Sequence, residues 1–148
     1  MIWKPNVTVA AIVEKDGKYL LVEEQTSHGI LFNQPAGHLE PGESIIQGVI
    51  RETLEETGYV FIPEAALGIY RWHSPSDDIT FLRFAFIGAV IDHDPDRALD
   101  AGILRAGWFC VDEIRAMAYS HRSPLVMRCI EDHLAGRRYP LEIFTHLD

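Results

Sequence analysis

The segment from Ser44 to Thr57 constrains this chain more than any other stretch. A polar capping residue opens it, Gly58 closes it, and no proline interrupts the helical period between them. At about 100° per residue, Val49, Thr53, Ile46, Thr57, Ile50 and Leu54 fall on one stripe, and Glu52, Glu55 and Glu56 fall on a neighbouring arc. The pattern predicts a helix that packs on one side and presents acid on the other. Such a helix needs an apolar surface to lie on, and the flanking sequence supplies strands.

Val7 to Val13 is a β-branched run, and Tyr19-Leu20-Leu21-Val22 follows the turn-forming Lys15-Asp16-Gly17, so the first two strands are expected to pair as a hairpin. Glu23 and Glu24 are read as leading into a loop. A short strand is expected around Leu31-Phe32, broken by Pro35, Gly37 and Gly42. After the helix, Leu67 to Trp72, Phe81 to Ile91 and Gly107 to Val111 read as strands, with Ser76-Asp77-Asp78 turning between the first two. Two more helices are expected, from Asp112 to Tyr119 and from Ser123 to Ala135, the second closed by Gly136. Strands, a helix, more strands and then helices is the order of an α/β sandwich with a mixed sheet. No repeat or linker divides the chain, and 148 residues suit one core, so residues 1–148 are read as a single domain.

Glu52, Glu55 and Glu56 lie three and four residues apart, so their carboxylates share one patch and repel one another. Three such residues alone describe a solvated acidic face as well as a cation site. If a cation is held, hard oxygen ligands suit Mg²⁺ or Mn²⁺ better than zinc, with waters and substrate phosphates completing the shell. The formal net charge of -9 argues against a nucleic-acid polymer or an anionic membrane as partner, because neither meets a basic surface here. Polyphosphate recognition remains open to an acidic protein when a divalent cation bridges the two. No apolar run is long enough to span a bilayer, and Met1-Ile2-Trp3-Lys4-Pro5-Asn6 lacks the pattern of a secretory signal, so a cytoplasmic protein is expected. Cys110 and Cys129 are expected as free thiols.

The residues around the helix sharpen this reading. Gly37-His38-Leu39-Glu40-Pro41-Gly42-Glu43 precedes it, and Arg51-Glu52-Thr53-Leu54-Glu55-Glu56-Thr57-Gly58-Tyr59 ends it. Together they match G-x5-E-x7-R-E-U-x-E-E-x-G-U, so residues 37–59 resemble the Nudix box and the chain resembles the Nudix hydrolases. Thr53 departs from the usual aliphatic residue but falls in the core stripe, where its methyl group can pack. The resemblance implies a Nudix-type α/β/α sandwich with a mixed β-sheet. It implies catalytic machinery made of Glu43, Arg51, Glu52 and Glu56, with the Arg51–Glu43 pair structural, and a metal held by Glu52, Glu55, Glu56 and the Gly37 carbonyl. Mg²⁺ is the expected cofactor, with Mn²⁺ as substitute.

Further stretches resemble the bacterial NudJ-type branch of that family: Lys4-Pro5 with Val7-Thr8-Val9-Ala10, Asn33-Gln34-Pro35-Ala36-Gly37-His38-Leu39-Glu40, Phe81-Leu82-Arg83-Phe84, Arg122-Ser123-Pro124-Leu125-Val126 and Arg138-Tyr139-Pro140-Leu141-Glu142. That resemblance implies phosphatase action on nucleoside di- and triphosphates and on thiamine-type pyrophosphates, with orthophosphate released. The expected partner is a small phosphorylated molecule, and the protein is expected as a monomer or homodimer. Action on another diphosphate, such as ADP-ribose or a dinucleoside polyphosphate, and a non-catalytic ligand-sensing module are the alternatives. Phe32 and Trp72 are candidates to stack on a substrate ring. Arg83, in an otherwise apolar strand, either meets substrate phosphate or pairs with an acid at a strand edge. The general base is Glu56 or Asp100, the latter in the loop before the Trp108 strand. His38 and His73 are given structural roles.

Overall fold

The computed structural model describes residues Met1–Asp148. Helix α1 spans Ile45–Thr57 and is closed chemically at both ends. The Ser44 hydroxyl accepts the Gln47 N–H at 3.0 Å, and the Gln47 side chain accepts the Ser44 N–H at 2.8 Å, a reciprocal capping box. Gly58, at φ 75°, ends the helix in the left-handed conformation, with its N–H donated to the Leu54 carbonyl. One expectation is corrected here. The buried residues of α1 are Gly48, Val49, Glu52, Thr53, Glu56 and Thr57, while Ile46, Ile50 and Leu54 are only half-buried. The packed face is rotated towards the acids, so Glu52 and Glu56 point inward rather than into solvent.

Strands β1 (Asn6–Lys15) and β2 (Lys18–Thr26) are joined by a tight turn in which Asp16 and Gly17 both have positive φ, 53° and 80°. They pair only at the turn, through Glu14 with Tyr19 and Lys15 with Lys18, and then splay apart. The expected hairpin is therefore limited to its tip. From there β1 runs parallel to β6 (Ile79–His93), in register from Asn6 with Phe81 to Val13 with Gly88, and antiparallel to the short β4 (Ala36–His38). Strand β2 instead pairs with β3 (Gly29–Asn33) and β7 (Ile103–Cys110). Glu23 and Glu24, read as the start of a loop, lie inside β2 opposite Phe32 and Leu31. Strand β5 (Tyr59–Ser74) begins directly after α1 and runs antiparallel to β6.

One parallel pair among antiparallel ones makes the sheet mixed. Both of its faces are covered, which is why β1 reads as a continuous apolar run rather than an alternating one. Val9, Ala11 and Val13 pack with Leu20, Val49, Phe61 and Phe86 beneath α1. Ala10 and Ile12 face the other way, onto Ile114, Cys129 and Ile130 of α2 (Val111–Ala116) and α3 (Leu125–Leu134). The result is the α/β/α sandwich. Helix α2 is shorter than expected and passes into a 3₁₀ turn at Ala118–Ser120, and α3 begins after Pro124 rather than at Ser123. Both cysteines are free, Cys129 buried and Cys110 half-buried. No helix is long and apolar enough to cross a membrane.

Candidate active site

Arg51 organises the start of the site. Its Nε donates to Glu43 Oε2 at 2.9 Å and its Nη2 to Glu43 Oε1 at 2.7 Å, a two-bond fork from α1 back to the loop that precedes it. The same Nη2 donates to the His38 carbonyl at 3.0 Å, and Nη1 reaches Glu52 at 2.8 Å and Glu55 at 3.1 Å. One half-buried guanidinium thus fastens the loop before α1 to the acidic face of the helix. Its hydrogen bonds hold the Glu43 carboxyl below the usual carboxylate range.

The glycine at position 37 is required by a close approach. A Cβ there would overlap the carboxylate of Glu52, which lies against the bare Cα. Across the gap the Asp100 N–H donates to the Glu55 carbonyl at 3.0 Å, bringing the loop before β7 onto the helix. Carboxylate oxygens of Glu52, Glu55 and Asp100 consequently lie within 4.8 Å of one another. Glu56 sits beside this group, accepting the Ala36 N–H at 2.9 Å.

Burial pushes the Glu56 carboxyl up to about 9; the Ala36 hydrogen bond opposes the rise, and the charges of Glu52, Glu24 and Asp100 add to it. Glu52 is raised as well, first by burial, against the Arg51 contact and with Glu55 and Asp100 adding to the rise. Desolvated carboxylates that crowd one another in this way are relieved by a cation placed between them. The donors are all hard oxygens, which fits a divalent ion of the Mg²⁺ or Mn²⁺ type. The sequence pattern grouped Glu52, Glu55 and Glu56 with Gly37; the structure draws Asp100 into the oxygen cluster and turns Glu56 towards β4.

A cavity of about 710 Å³ lies against two of these acids, Glu52 and Glu56. Glu52, Glu56 and Gly37 line one side, and Trp72, Phe81 and Arg83 line another. The Trp72 and Phe81 rings are stacked, with centroids 5.9 Å apart and planes 15° from parallel. Phe32 does not reach the cavity. Alternation along β3 sends its neighbours Leu31 and Asn33 there, while Phe32 packs edge-on against Phe109. Arg83 is buried on β6, an interior strand between β1 and β5, and meets Asn33 and Gln34 rather than an acid at a strand edge. His38 lines the cavity and lies 3.2 Å from the Asn6 amide; His73, on the far strand, contacts Thr80 and Asp78.

Sequence reasoning missed Glu24, Asn33 and Arg122, all of which line the cavity. Glu24 pairs with Arg122 at 3.1 Å. The available signal was the need of a lone arginine in an apolar strand for polar partners, which Asn33-Gln34 supply. A second cavity, about 590 Å³, lies beyond Trp72 against His121, Arg122 and Arg128 and holds no residue of the 37–59 segment.

Comparison with known proteins agrees with this fold. The sequence model of the NUDIX domain matches residues 3–129. The phosphatase NudJ of Escherichia coli (strain K12) is 40% identical over 142 residues, covering 96% of this chain and 92% of that protein. A solved NUDIX hydrolase from Nitrosomonas europaea superposes with a TM-score of 0.95 at 61% identity, covering 97% of this chain and 98% of that one. A MutT NUDIX hydrolase from Burkholderia pseudomallei shares the fold, with a TM-score of 0.75 at 17% identity over 88% of this chain and 98% of its own.

Proposed function

This chain belongs to the Nudix family and is a hydrolase of phosphorylated substrates; from that premise we propose that it is a Mg²⁺-dependent phosphatase, with Mn²⁺ as substitute, acting on nucleoside di- and triphosphates and thiamine-type pyrophosphates. The observation that carries this reading is the convergence of Glu52, Glu55 and Asp100 oxygens next to buried Glu56, with Glu52 and Glu56 also lining a cavity of about 710 Å³. Release of orthophosphate is supported by the 40% identity to a phosphatase.

Glu52, Glu55 and Asp100 would hold the divalent ion in this reading. A bound ion there would supply Lewis acidity and neutralise charge on the phosphoanhydride oxygens. Glu56 is assigned as general base. One of its oxygens is anchored by the Ala36 N–H; with a divalent ion beside it the carboxyl would be held ionised, and its other oxygen would be left to take the proton of the attacking water. No covalent nucleophile is needed. Arg51 is a positioning residue, since its donors are occupied by Glu43, Glu52, Glu55 and the His38 carbonyl. Trp72, backed by Phe81, offers the flat apolar surface for a substrate ring.

The reading is tested by incubating purified protein with Mg²⁺ and a panel of nucleotides, thiamine pyrophosphate, ADP-ribose and dinucleoside polyphosphates, assaying orthophosphate and pyrophosphate separately. Orthophosphate from several nucleotides and from thiamine pyrophosphate is the expected result. Pyrophosphate alone, or cleavage confined to ADP-ribose or dinucleoside polyphosphates, would replace it with a different Nudix activity.

A further inference from the structure

The cavity beside the acids is lined by five carboxylates, Glu24, Glu40, Glu52, Glu56 and Asp77, and by two guanidiniums, Arg83 and Arg122. A di- or triphosphate brings several negative charges against such a lining, and a divalent ion at the acids offsets only part of them. The rest of the phosphate chain needs a cation of the protein's own. Arg83 is not placed to serve, being 4% exposed with its donors turned to Gln34, Asn33 and Cys129. Arg122 is the exposed one, with 48% of its side chain in solvent.

The backbone of Arg122 is fixed while its head is not. Its N–H donates to the Phe32 carbonyl at 2.7 Å, and the neighbouring His121 bridges to Phe32 in parallel register. His121 is held in turn by a 2.9 Å contact between its Nε2 and the Ile114 carbonyl. The Arg122 guanidinium meets one protein group, Glu24 Oε1, 3.1 Å from Nη1. Its Nε–Nη2 edge, which can form a two-bond fork with a phosphate, keeps no protein acceptor.

Arg122 also stands between the acids and the aromatic wall. Its partner Glu24 is close enough to Glu56 for its charge to act on that carboxyl. On the other side, Arg122 and Trp72 together line both this cavity and the smaller one beyond it. A substrate with its end phosphate at the acids and its ring on Trp72 runs its remaining phosphates past Arg122. We propose that Arg122 leaves Glu24 to grip the phosphate bonded to the one at the acids, and so selects polyphosphate chains over monophosphates whatever ring they carry. A fork to phosphate oxygens ignores the ring, which suits a substrate range joining nucleotides and thiamine-type pyrophosphates.

The proposal rests on the hydrolase reading for where the end phosphate lies, but its test does not require turnover. The β,γ-imido analogues of ATP and UTP, and AMP, are titrated calorimetrically in Mg²⁺. Arg122→Gln is expected to weaken both imido analogues by the same factor, about 10- to 100-fold, and AMP by less than about twofold. Arg122→Lys, which keeps the charge and loses the fork, should fall between the wild type and Arg122→Gln. Glu24→Gln removes the competing carboxylate and should tighten the analogues more in the wild-type background than in Arg122→Gln. No binding of the analogues by the wild type, unchanged binding by Arg122→Gln, or an equal loss for AMP overturns the proposal. So do unequal losses for the two analogues, or an equal gain from Glu24→Gln in both backgrounds. Arg122-dependent binding without orthophosphate release from ATP by the wild type would sink the hydrolase reading and leave phosphate recognition standing. Orthophosphate release by the wild type, with analogue binding untouched in Arg122→Gln, would do the reverse.

Discussion

Arg51 and Glu43 are joined by two parallel hydrogen bonds, 2.9 and 2.7 Å long, and the same guanidinium also reaches Glu52 and Glu55. The loop that carries Gly37 and the helix that carries the acids are thus set by one planar group. Arg51→Lys keeps the charge and loses the fork. Its turnover number is expected to fall about 10- to 100-fold, with a melting temperature lower by a few degrees. Steady-state kinetics beside a thermal melt checks this, and unchanged kinetics would make the fork dispensable.

Glu56 and Asp100 differ in place, and their variants should differ in kind. Glu56→Gln preserves shape and removes the base, so the turnover number should drop about 10²- to 10⁴-fold with little change in the Mg²⁺ concentration needed. Asp100→Asn weakens the oxygen cluster and should raise that concentration instead. Magnesium titrations of activity for both variants separate the roles, and an exchange of the two phenotypes would exchange the assignments.

Trp72 stacks on Phe81 at the cavity wall and touches none of the acids by any hydrogen bond. Trp72→Ala should raise KM more than it lowers the turnover number, by about 3- to 30-fold, the worth of one aromatic stacking contact. An unchanged KM would leave the ring a purely structural residue.

Asp132 tests the account away from the site. Burial raises its carboxyl, but hydrogen bonds from Tyr70 at 2.7 Å, Arg128 at 3.2 Å and Arg137 at 3.1 Å outweigh this and hold it below the usual range. A folded-state value below the unfolded one stabilises the fold above the unfolded value, about 3.9, and that stability is lost as pH falls through the folded value. Urea melts of the wild type and Asp132→Asn should therefore differ at pH 7 and converge below about pH 4. A gap that stays constant with pH would contradict the ion-pair account.

Much of this was legible in the sequence, for local reasons. The capping box at Ser44 and Gln47, the Gly58 terminator and the Asp16-Gly17 turn are each set by residues within a few positions of one another. What escaped was set by distant partners. The splaying of β1 from β2 follows from β6 capturing β1, a pairing some 70 residues away that no local pattern encodes. The inward turn of Glu52 and Glu56 depends on Gly37 and Ala36 approaching the helix. Phe32 was misplaced because one step of strand alternation decides which face it takes, and that phase is fixed only by pairing with β2.

In the proposed reading, hydrolysis depends on a cation held by the acids of α1. Orthophosphate release from a nucleoside triphosphate is measured for the wild type and Glu52→Gln, each in excess chelator and then with Mg²⁺ restored. No turnover is expected in chelator, with recovery on adding Mg²⁺ or Mn²⁺ for the wild type and little recovery for the variant. Undiminished turnover of the wild type in chelator, or full activity of Glu52→Gln, would contradict it.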